Sequence, residues 1–170
     1  MKAPPTLHLL VGLPGAGKTT LARQLEREHA ALRLTPDEWM LPLFGAGDVD
    51  GKRDVLEQQL LWSVAVRALS LGVNVVLDYG FWSREERDSY RARAEALGAR
   101  AELHVLDMPL DELWRRLETR NASLPPDTFP VTRAELDEWA GWYQVPTAEE
   151  RALYASSHGE GRSTEPLTPG

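Results

Sequence analysis

The sequence is poor in three features: cysteine, long apolar runs and positive charge. The absence of cysteine excludes a disulfide framework, a thiolate metal site and a cysteine nucleophile. The apolar run in MKAPPTLHLLVG is too short for a signal peptide, and no segment reaches the roughly 18 apolar residues of a membrane span. We therefore expect a cytoplasmic protein that makes no use of a membrane.

The charge balance argues against one class of partner. The 170 residues carry a formal net charge of -7, whereas phosphate backbones are bound chiefly through clustered lysine and arginine. An extended nucleic-acid surface is therefore disfavoured, although a short basic groove stays open. The sequence does not indicate an oligomeric state.

The chain length predicts one domain, at residues 1–155. The remaining segment, SSHGEGRSTEPLTPG at 156–170, has Leu167 as its single aliphatic residue. It can bury too little apolar surface to order itself, so we expect a disordered tail.

Strand and helix patterns alternate along the domain. Strand patterns lie at 7–11, 31–34, 73–77 and 101–106, and helical patterns at about 18–29, 53–71, 83–97 and 109–121. This alternation predicts an α/β fold with a parallel sheet. The first and third strands are almost entirely apolar, as central strands should be, while Arg33 interrupts the second and Glu102 and His104 interrupt the fourth. The predicted strand order is 2-3-1-4, and a fifth strand is left open.

A glycine-rich loop, GLPGAGKTT at 12–20, follows the first strand and fits G-x-x-x-x-G-K-[ST]. Its glycines let backbone N–H groups converge on phosphate oxygens, and its lysine reaches the β- and γ-phosphates. The alternative is a plain glycine turn, but the strand before and the helix after favour a phosphate cradle and a three-layer P-loop NTPase fold. The predicted ATP-binding residues are Gly12, Leu13, Pro14, Gly15, Ala16, Gly17, Lys18, Thr19 and Thr20.

Two acidic residues follow the second strand in TPDE at 35–38. Thr35 and Glu38 fit a capping box, which accounts for Glu38. Asp37 is not needed by that box and lies at the carboxyl end of a strand, where ligands bind in such sheets. It fits a general base for an acceptor hydroxyl, and the alternative is an acid stabilised by the helix dipole.

Asp78 ends the third strand, beside the predicted phosphate loop. An aspartate there fits a Walker B element, which together with the Thr19 hydroxyl holds Mg²⁺. It also fits a residue that faces the acceptor, and both alternatives stay open.

Three arginines in PLDELWRRLETRN at 109–121 are separated by helix geometry. Arg116 and Arg120 lie together at the border of the apolar stripe, whereas Arg115 points away, near Asp111. With the proline-rich SLPPDTFPVT that follows, the pair predicts a lid at about 115–133 that brings positive charge to the transferred phosphoryl group. The alternative is a pair of surface arginines before a loop.

Aromatic residues gather after the second and third strands. They suggest an acceptor with an apolar or ring-shaped face, although loop packing explains any single member equally well. The group consists of Trp39, Phe44, Tyr79, Phe81 and Trp82.

Other groups are assigned to the interior or to helix starts. His8 and His104 have no histidine or cysteine at metal-ligand spacing, so we interpret them as structural. Ser83, Thr132 and Thr147 begin capping boxes. The tryptophans predicted to lie mainly in the core are Trp62, Trp114, Trp139 and Trp142.

With these motifs placed, residues 6–150 or so resemble the small P-loop kinases labelled AAA-like ATP-binding proteins. That group is similar to polynucleotide 5′-hydroxyl kinases, zeta toxins and chloramphenicol phosphotransferase. The resemblance implies a four- or five-stranded parallel sheet, a general base at Asp37 and phosphate contacts from Arg116 and Arg120. The segment DYGFWS departs from the D-x-T-N pattern of polynucleotide kinase relatives, which argues against nucleic-acid specificity.

These patterns favour an ATP-dependent kinase that uses Mg²⁺ and phosphorylates a hydroxyl of a small-molecule acceptor. The first alternative is a polynucleotide 5′-hydroxyl kinase. The second is a nucleotide-binding switch protein without an acceptor, which needs the phosphate loop but not Asp37.

Overall fold

The computed structural model describes residues 2–126 and 128–155. The interpretation of the 156–170 tail therefore concerns residues outside the described ranges. Among the residues described, no helix combines the length and the apolar character needed to cross a membrane.

The sheet has four parallel strands, in the order β2-β3-β1-β4. They are β1 (Thr6–Val11), β2 (Leu32–Leu34), β3 (Val75–Gly80) and β4 (Arg100–Val105). The predicted order is confirmed: the two most apolar strands are central, and β2, which carries Arg33, is at an edge. No fifth strand is present within the described ranges.

Every strand is followed by one or more helices. They are α1 (Lys18–His29), α2 (Pro36–Phe44), α3 (Lys52–Val55), α4 (Trp62–Ser70), α5 (Arg84–Ala96), α6 (Leu110–Ala122), α7 (Arg133–Trp142) and α8 (Ala148–Arg151). A π-helical segment, Leu56–Leu61, joins α3 to α4. The helix predicted over 53–71 is therefore interrupted by a wide turn, a feature found often at functional sites.

Both faces of the sheet are covered because alternate strand residues point to opposite sides. Leu7 and Leu9 pack in a cluster with residues of α4 and α5. Leu10 and Val76 pack on the other face against α1, around Ala22. Buried apolar side chains on both faces make this a three-layer α/β structure.

The predicted capping box before α2 is wrong. Thr35 precedes the helix, but its side chain makes no capping hydrogen bond. Its hydroxyl instead donates to Asp78 at 3.1 Å. Glu38 accepts a hydrogen bond from Arg33 at 2.8 Å, so both members of the predicted box have partners outside the helix start.

The remaining predicted helix starts are present. The complete capping box before α7 joins Thr132 to Glu135, while Ser83 and Thr147 each accept a hydrogen bond from the N–H three residues later. One tryptophan assignment is wrong, because Trp142 lies at the last position of α7 and is 57% exposed.

The pairing of β1 with β4 brings the two strand histidines together. His8 lies opposite Glu102 in the register, and His104 lies opposite Leu10. The ring nitrogens His8 Nδ1 and His104 Nε2 are 3.0 Å apart. The two histidines are 96 residues apart in sequence, so no local spacing could indicate that they meet.

Candidate active site

A cavity of about 1110 Å³ opens where β1, β2 and β3 end. Its walls come from the glycine-rich loop, the residues after β2 and β3, α6 and the loop after α6. Ligands of open parallel sheets bind outside the carboxyl ends of the strands, so the position of this cavity matches that of a binding site.

The glycine-rich loop is shaped by close backbone approach. Gly12 N donates to Gly80 O at 3.1 Å, and a Cβ at Gly12 would lie 2.8 Å from the carbonyl oxygen of Leu106. Gly17 has φ +95° and immediately precedes α1, which starts at Lys18. Gly17, Lys18 and Thr19 line the cavity, so the first turn of α1, with its free N–H groups, is suited to an anion there.

Lys18 lies beneath this loop and donates to the carbonyl oxygen of Leu13 at 3.0 Å. Burial lowers the pKa of Lys18, while Asp78 and Asp37 act in the opposite direction. A poorly hydrated ammonium group favours a nearby anion, because an anion restores the stabilisation that water would give.

Asp78 lies beside the start of α1. Its Oδ2 accepts hydrogen bonds from Thr19 Oγ1 at 2.8 Å and from Thr35 Oγ1 at 3.1 Å, and the residue is 6% exposed. A carboxylate and two hydroxyls form an all-oxygen group, which is the donor type that Mg²⁺ prefers. Thr35 was missed as a member of this group because its sequence position fits a helix cap.

Asp37 also lines the cavity, where it pairs with an arginine that sequence reasoning did not single out. Arg53 Nη1 donates to Asp37 Oδ1 at 2.6 Å, and Arg53 Nε donates to Glu57 Oε1 at 3.0 Å. Burial raises the pKa of Glu57 to about 7, although Arg53 acts in the opposite direction. The cavity thus contains a second acid with a pKa suited to proton transfer.

The sequence contains one indication of the pairing between Arg53 and Glu57. Arg53 and Glu57 are four residues apart, the spacing of an ion pair on one helix face. That spacing does not indicate whether this helix face lines the cavity. The answer depends on how α3 and the π-helical segment cross the edge of the sheet.

The three arginines of α6 are arranged as helix geometry predicted. Arg116 and Arg120 line the cavity, and Arg115 does not. Arg115 is 73% exposed and donates to Glu112 at 2.6 Å. The expected partner Asp111 is therefore wrong, and Asp111 instead accepts a hydrogen bond from Arg133 at 3.3 Å.

Arg120 is incompletely paired within the part of the chain that the structure describes. Its Nη2 donates to the carbonyl oxygen of Phe129 at 3.1 Å, but its buried Nε has no hydrogen-bond partner there. Burial lowers the pKa of Arg120, with Asp37 acting in the opposite direction. Arg116 is half exposed, with Glu112 at 3.4 Å. Both guanidinium groups therefore have donors left for an anion in the cavity.

The predicted aromatic group divides in two. Tyr79, Phe81 and Trp82 line the cavity, whereas Trp39 and Phe44 lie outside it and are exposed. Phe81 has φ +44°, an uncommon value for a bulky side chain. The turn that it makes lets Trp82 Nε1 donate to Gly12 O at 3.1 Å, which ties the end of β3 to the glycine-rich loop.

The fold and the loop together define the class of protein. A parallel sheet of order 2-3-1-4, with the phosphate-loop motif between β1 and α1, is the kinase-like P-loop NTPase fold. The chain belongs to the AAA_33 family of AAA domains, whose model matches residues 7–146. No curated protein matches the chain by sequence.

Several solved structures share this fold. A chain of the Pnkp1/Rnl/Hen1 RNA repair complex has a TM-score of 0.73 and 22% identity, over 91% of this chain and 48% of that one. Chaetomium thermophilum Kti12 with ADP-AlF3 has a TM-score of 0.65 and 19% identity, over 85% and 84%. The Mycobacterium tuberculosis APS kinase CysC with AMPPNP and APS has a TM-score of 0.56 and 17% identity, over 83% and 98%.

These identities establish a shared fold and not a shared activity. The chain spans about half the length of its counterpart in the repair complex. The nucleotide and the acceptor that this chain binds therefore depend on the residues of its own cavity.

Proposed function

We propose that the protein is an ATP-dependent kinase that transfers the γ-phosphate of ATP to a hydroxyl of a small-molecule acceptor. One observation carries the proposal: the glycine-rich loop, Asp78, Asp37 and the arginines of α6 all line one cavity. Similar structures that hold ADP-AlF3 or AMPPNP support a nucleotide as the ligand of the loop.

In this proposal the backbone of residues 12–20 binds the phosphates of ATP. Lys18 exchanges its hydrogen bond to Leu13 for the β- and γ-phosphate oxygens. Thr19 and Asp78, which are joined by a hydrogen bond, would hold Mg²⁺ through the oxygen ligands that this ion prefers. When bound, Mg²⁺ neutralises negative charge on the phosphates.

Asp37 accepts the proton of the acceptor hydroxyl. One of its carboxylate oxygens is held by Arg53, which leaves the other to bind the acceptor. A base in this position orients the attacking oxygen as well as removing its proton. Arg53 is a positioning residue in this scheme, since it acts through Asp37.

Arg116 and Arg120 stabilise the transferred phosphoryl group. The donors are the Nε of Arg120, which has no hydrogen-bond partner among the described residues, and the half-exposed guanidinium of Arg116. We retain the lid at about 115–133 as part of the proposal, because the loop after α6 also lines the cavity.

The acceptor is small and has an apolar or ring-shaped face. Aromatic side chains form one wall of the cavity, and the rings of Trp82 and Trp139 are 5.7 Å apart. The volume of about 1110 Å³ exceeds the 300 to 1,000 Å³ or so of typical single-ligand pockets. A nucleotide and a small acceptor together account for the larger space.

A polynucleotide 5′-hydroxyl kinase is the second candidate, favoured by the similarity to a chain of an RNA repair complex. The charges of this chain oppose it. Its net charge is -7, and Glu38, Asp48 and Glu135 line the cavity together with the arginines. Such acids repel a phosphate backbone.

The test is a screen for γ-phosphate transfer from ATP to nucleosides, sugars, antibiotics and 5′-hydroxyl oligonucleotides. We expect transfer to a small hydroxyl compound that depends weakly on salt, and Lys18→Ala should lose both transfer and nucleotide-induced thermal stabilisation. Steeply salt-dependent transfer to an oligonucleotide would favour the second candidate. Stabilisation by ATP without transfer to any acceptor would favour the nucleotide-binding switch.

A further inference from the structure

A second group of potential ligands lies on the face of the sheet that α1 covers. His8 is 1% exposed and Glu102 is 8% exposed, while the His104 side chain is 13% exposed and forms the rim. The ring of His29, the last residue of α1, lies 4.9 Å from that of His8. The phosphate loop is at the other end of α1, roughly 18 Å away for a 12-residue helix.

Three ligand atoms of this group converge on one point. The distances are 3.0 Å from His8 Nδ1 to His104 Nε2, 3.4 Å from His8 Nδ1 to Glu102 Oε2, and 3.7 Å from His104 Nε2 to Glu102 Oε2. A triangle with these sides has a circumscribed radius of about 2.0 Å, which matches the bond lengths of about 2.0 to 2.2 Å from Zn²⁺ to nitrogen and oxygen. The distances among the three atoms therefore suit one cation bound to all of them.

Hydrogen bonding within the group is incomplete. Two facing imidazole nitrogens 3.0 Å apart have room for only one proton between them. The other ring nitrogen of His8, Nε2, is buried and has no hydrogen-bond partner among the described residues.

We propose that His8, Glu102 and His104 bind one divalent transition-metal ion, with Zn²⁺ as the best fit. Two imidazoles and a carboxylate suit Zn²⁺ and its neighbours, whereas Mg²⁺ prefers oxygen ligands alone. His29, whose ring lies 4.9 Å from that of His8, or a water molecule would complete a tetrahedral set. The ion joins β1 to β4 near the end of α1, so its role is to stabilise the fold and not to assist phosphate transfer.

The test uses the full chain without a histidine tag, stripped of metal with a chelator and kept in excess Mg²⁺. Titration with Zn²⁺ should show one saturable site by calorimetry, and Co²⁺ should give the intense visible absorption of a tetrahedral site. Glu102→Gln and His104→Gln should each weaken Zn²⁺ binding at least tenfold, while the exposed carboxylate control Glu118→Gln should leave it unchanged.

Two further arms keep the test decisive. His158→Ala should bind Zn²⁺ as tightly as the unmodified protein. Loss of Zn²⁺ binding in this variant would assign the ion to a site other than His8, Glu102 and His104, and would overturn the proposal. If Co²⁺ added to the unmodified protein gives no absorption, or only the weak absorption of an octahedral ion, the proposal is overturned without reference to any variant. Unchanged Zn²⁺ affinity in folded Glu102→Gln and His104→Gln, checked by circular dichroism, would overturn it as well.

Discussion

Replacing Asp37 by asparagine tests which of two acids in the cavity takes the proton of the acceptor. Asp37 is 38% exposed and Glu57 is 13% exposed, and both carboxylates bind Arg53. Glu57 is the stronger competitor on pKa, because burial raises its pKa to about 7. Asp37 is favoured by position, since it follows β2 at the helix start that faces the glycine-rich loop.

The size of the expected effect separates catalysis from positioning. Loss of a general base lowers the rate about 10²- to 10⁴-fold, or roughly 3 to 5 kcal/mol in activation free energy. Loss of the Asp37–Arg53 ion pair alone costs at most about 1 kcal/mol of folding stability, because both side chains are about a third exposed. That cost falls on the free energy of unfolding and not on the activation free energy, so it does not by itself produce a hundredfold loss of rate in the folded protein.

The assay compares Asp37→Asn with Glu57→Gln, which is the matched variant on the other side of Arg53. We expect Asp37→Asn to lower kcat at least a hundredfold with unchanged ATP affinity, and Glu57→Gln to lower kcat less than tenfold. A rate for Asp37→Asn within tenfold of the unmodified protein, or a hundredfold loss in Glu57→Gln, would refute the assignment of the base to Asp37.

The Glu57→Gln variant also has a readout that does not depend on the acceptor. The folded protein holds the pKa of Glu57 above its ordinary 4.5, at about 7. The folded state therefore binds this proton more tightly than the unfolded state, and stability should fall as the pH rises from about 4.5 to 7. Urea denaturation should show Glu57→Gln more stable than the unmodified protein by about 1 to 3 kcal/mol at pH 8, with no such gain at pH 4.

Three further variants test the rest of the site and its support. Gly12→Ala places a Cβ 2.8 Å from a backbone oxygen, so ATP should no longer raise the melting temperature, and a full thermal shift would contradict the proposed cradle. Arg120→Ala should lower kcat more than ATP affinity, while the exposed Arg115→Ala should change neither quantity. An equal loss of kcat in the two variants would refute the assignment of faces on α6. Glu150→Gln removes the counterion of Arg87 at a place where both side chains are only 1% exposed. Urea denaturation should show a loss of about 3 to 5 kcal/mol, and a loss below about 1 kcal/mol would refute a buried ion pair.

The sequence alone determined the architecture, because its signals are local. The motif at 12–20 identifies the loop within nine residues, and the apolar character of each strand indicates whether it is central or at an edge. The separation of Arg115 from Arg116 and Arg120 follows from the 100° or so that each residue turns in a helix. The predicted strand order is confirmed, and the structure places Arg116 and Arg120 on the cavity and Arg115 outside it.

Only the tertiary structure decided which distant side chains meet. Arg53 reaches Asp37 across 16 residues, Thr35 turns from its predicted cap to Asp78 across 43, and His8 meets His104 across 96. Each of these contacts depends on how whole elements cross the sheet, which no spacing of residues within a single element specifies. The strand register between β1 and β4 brings two histidines and a glutamate to one point, and for that reason the metal-site proposal could come only from the folded chain.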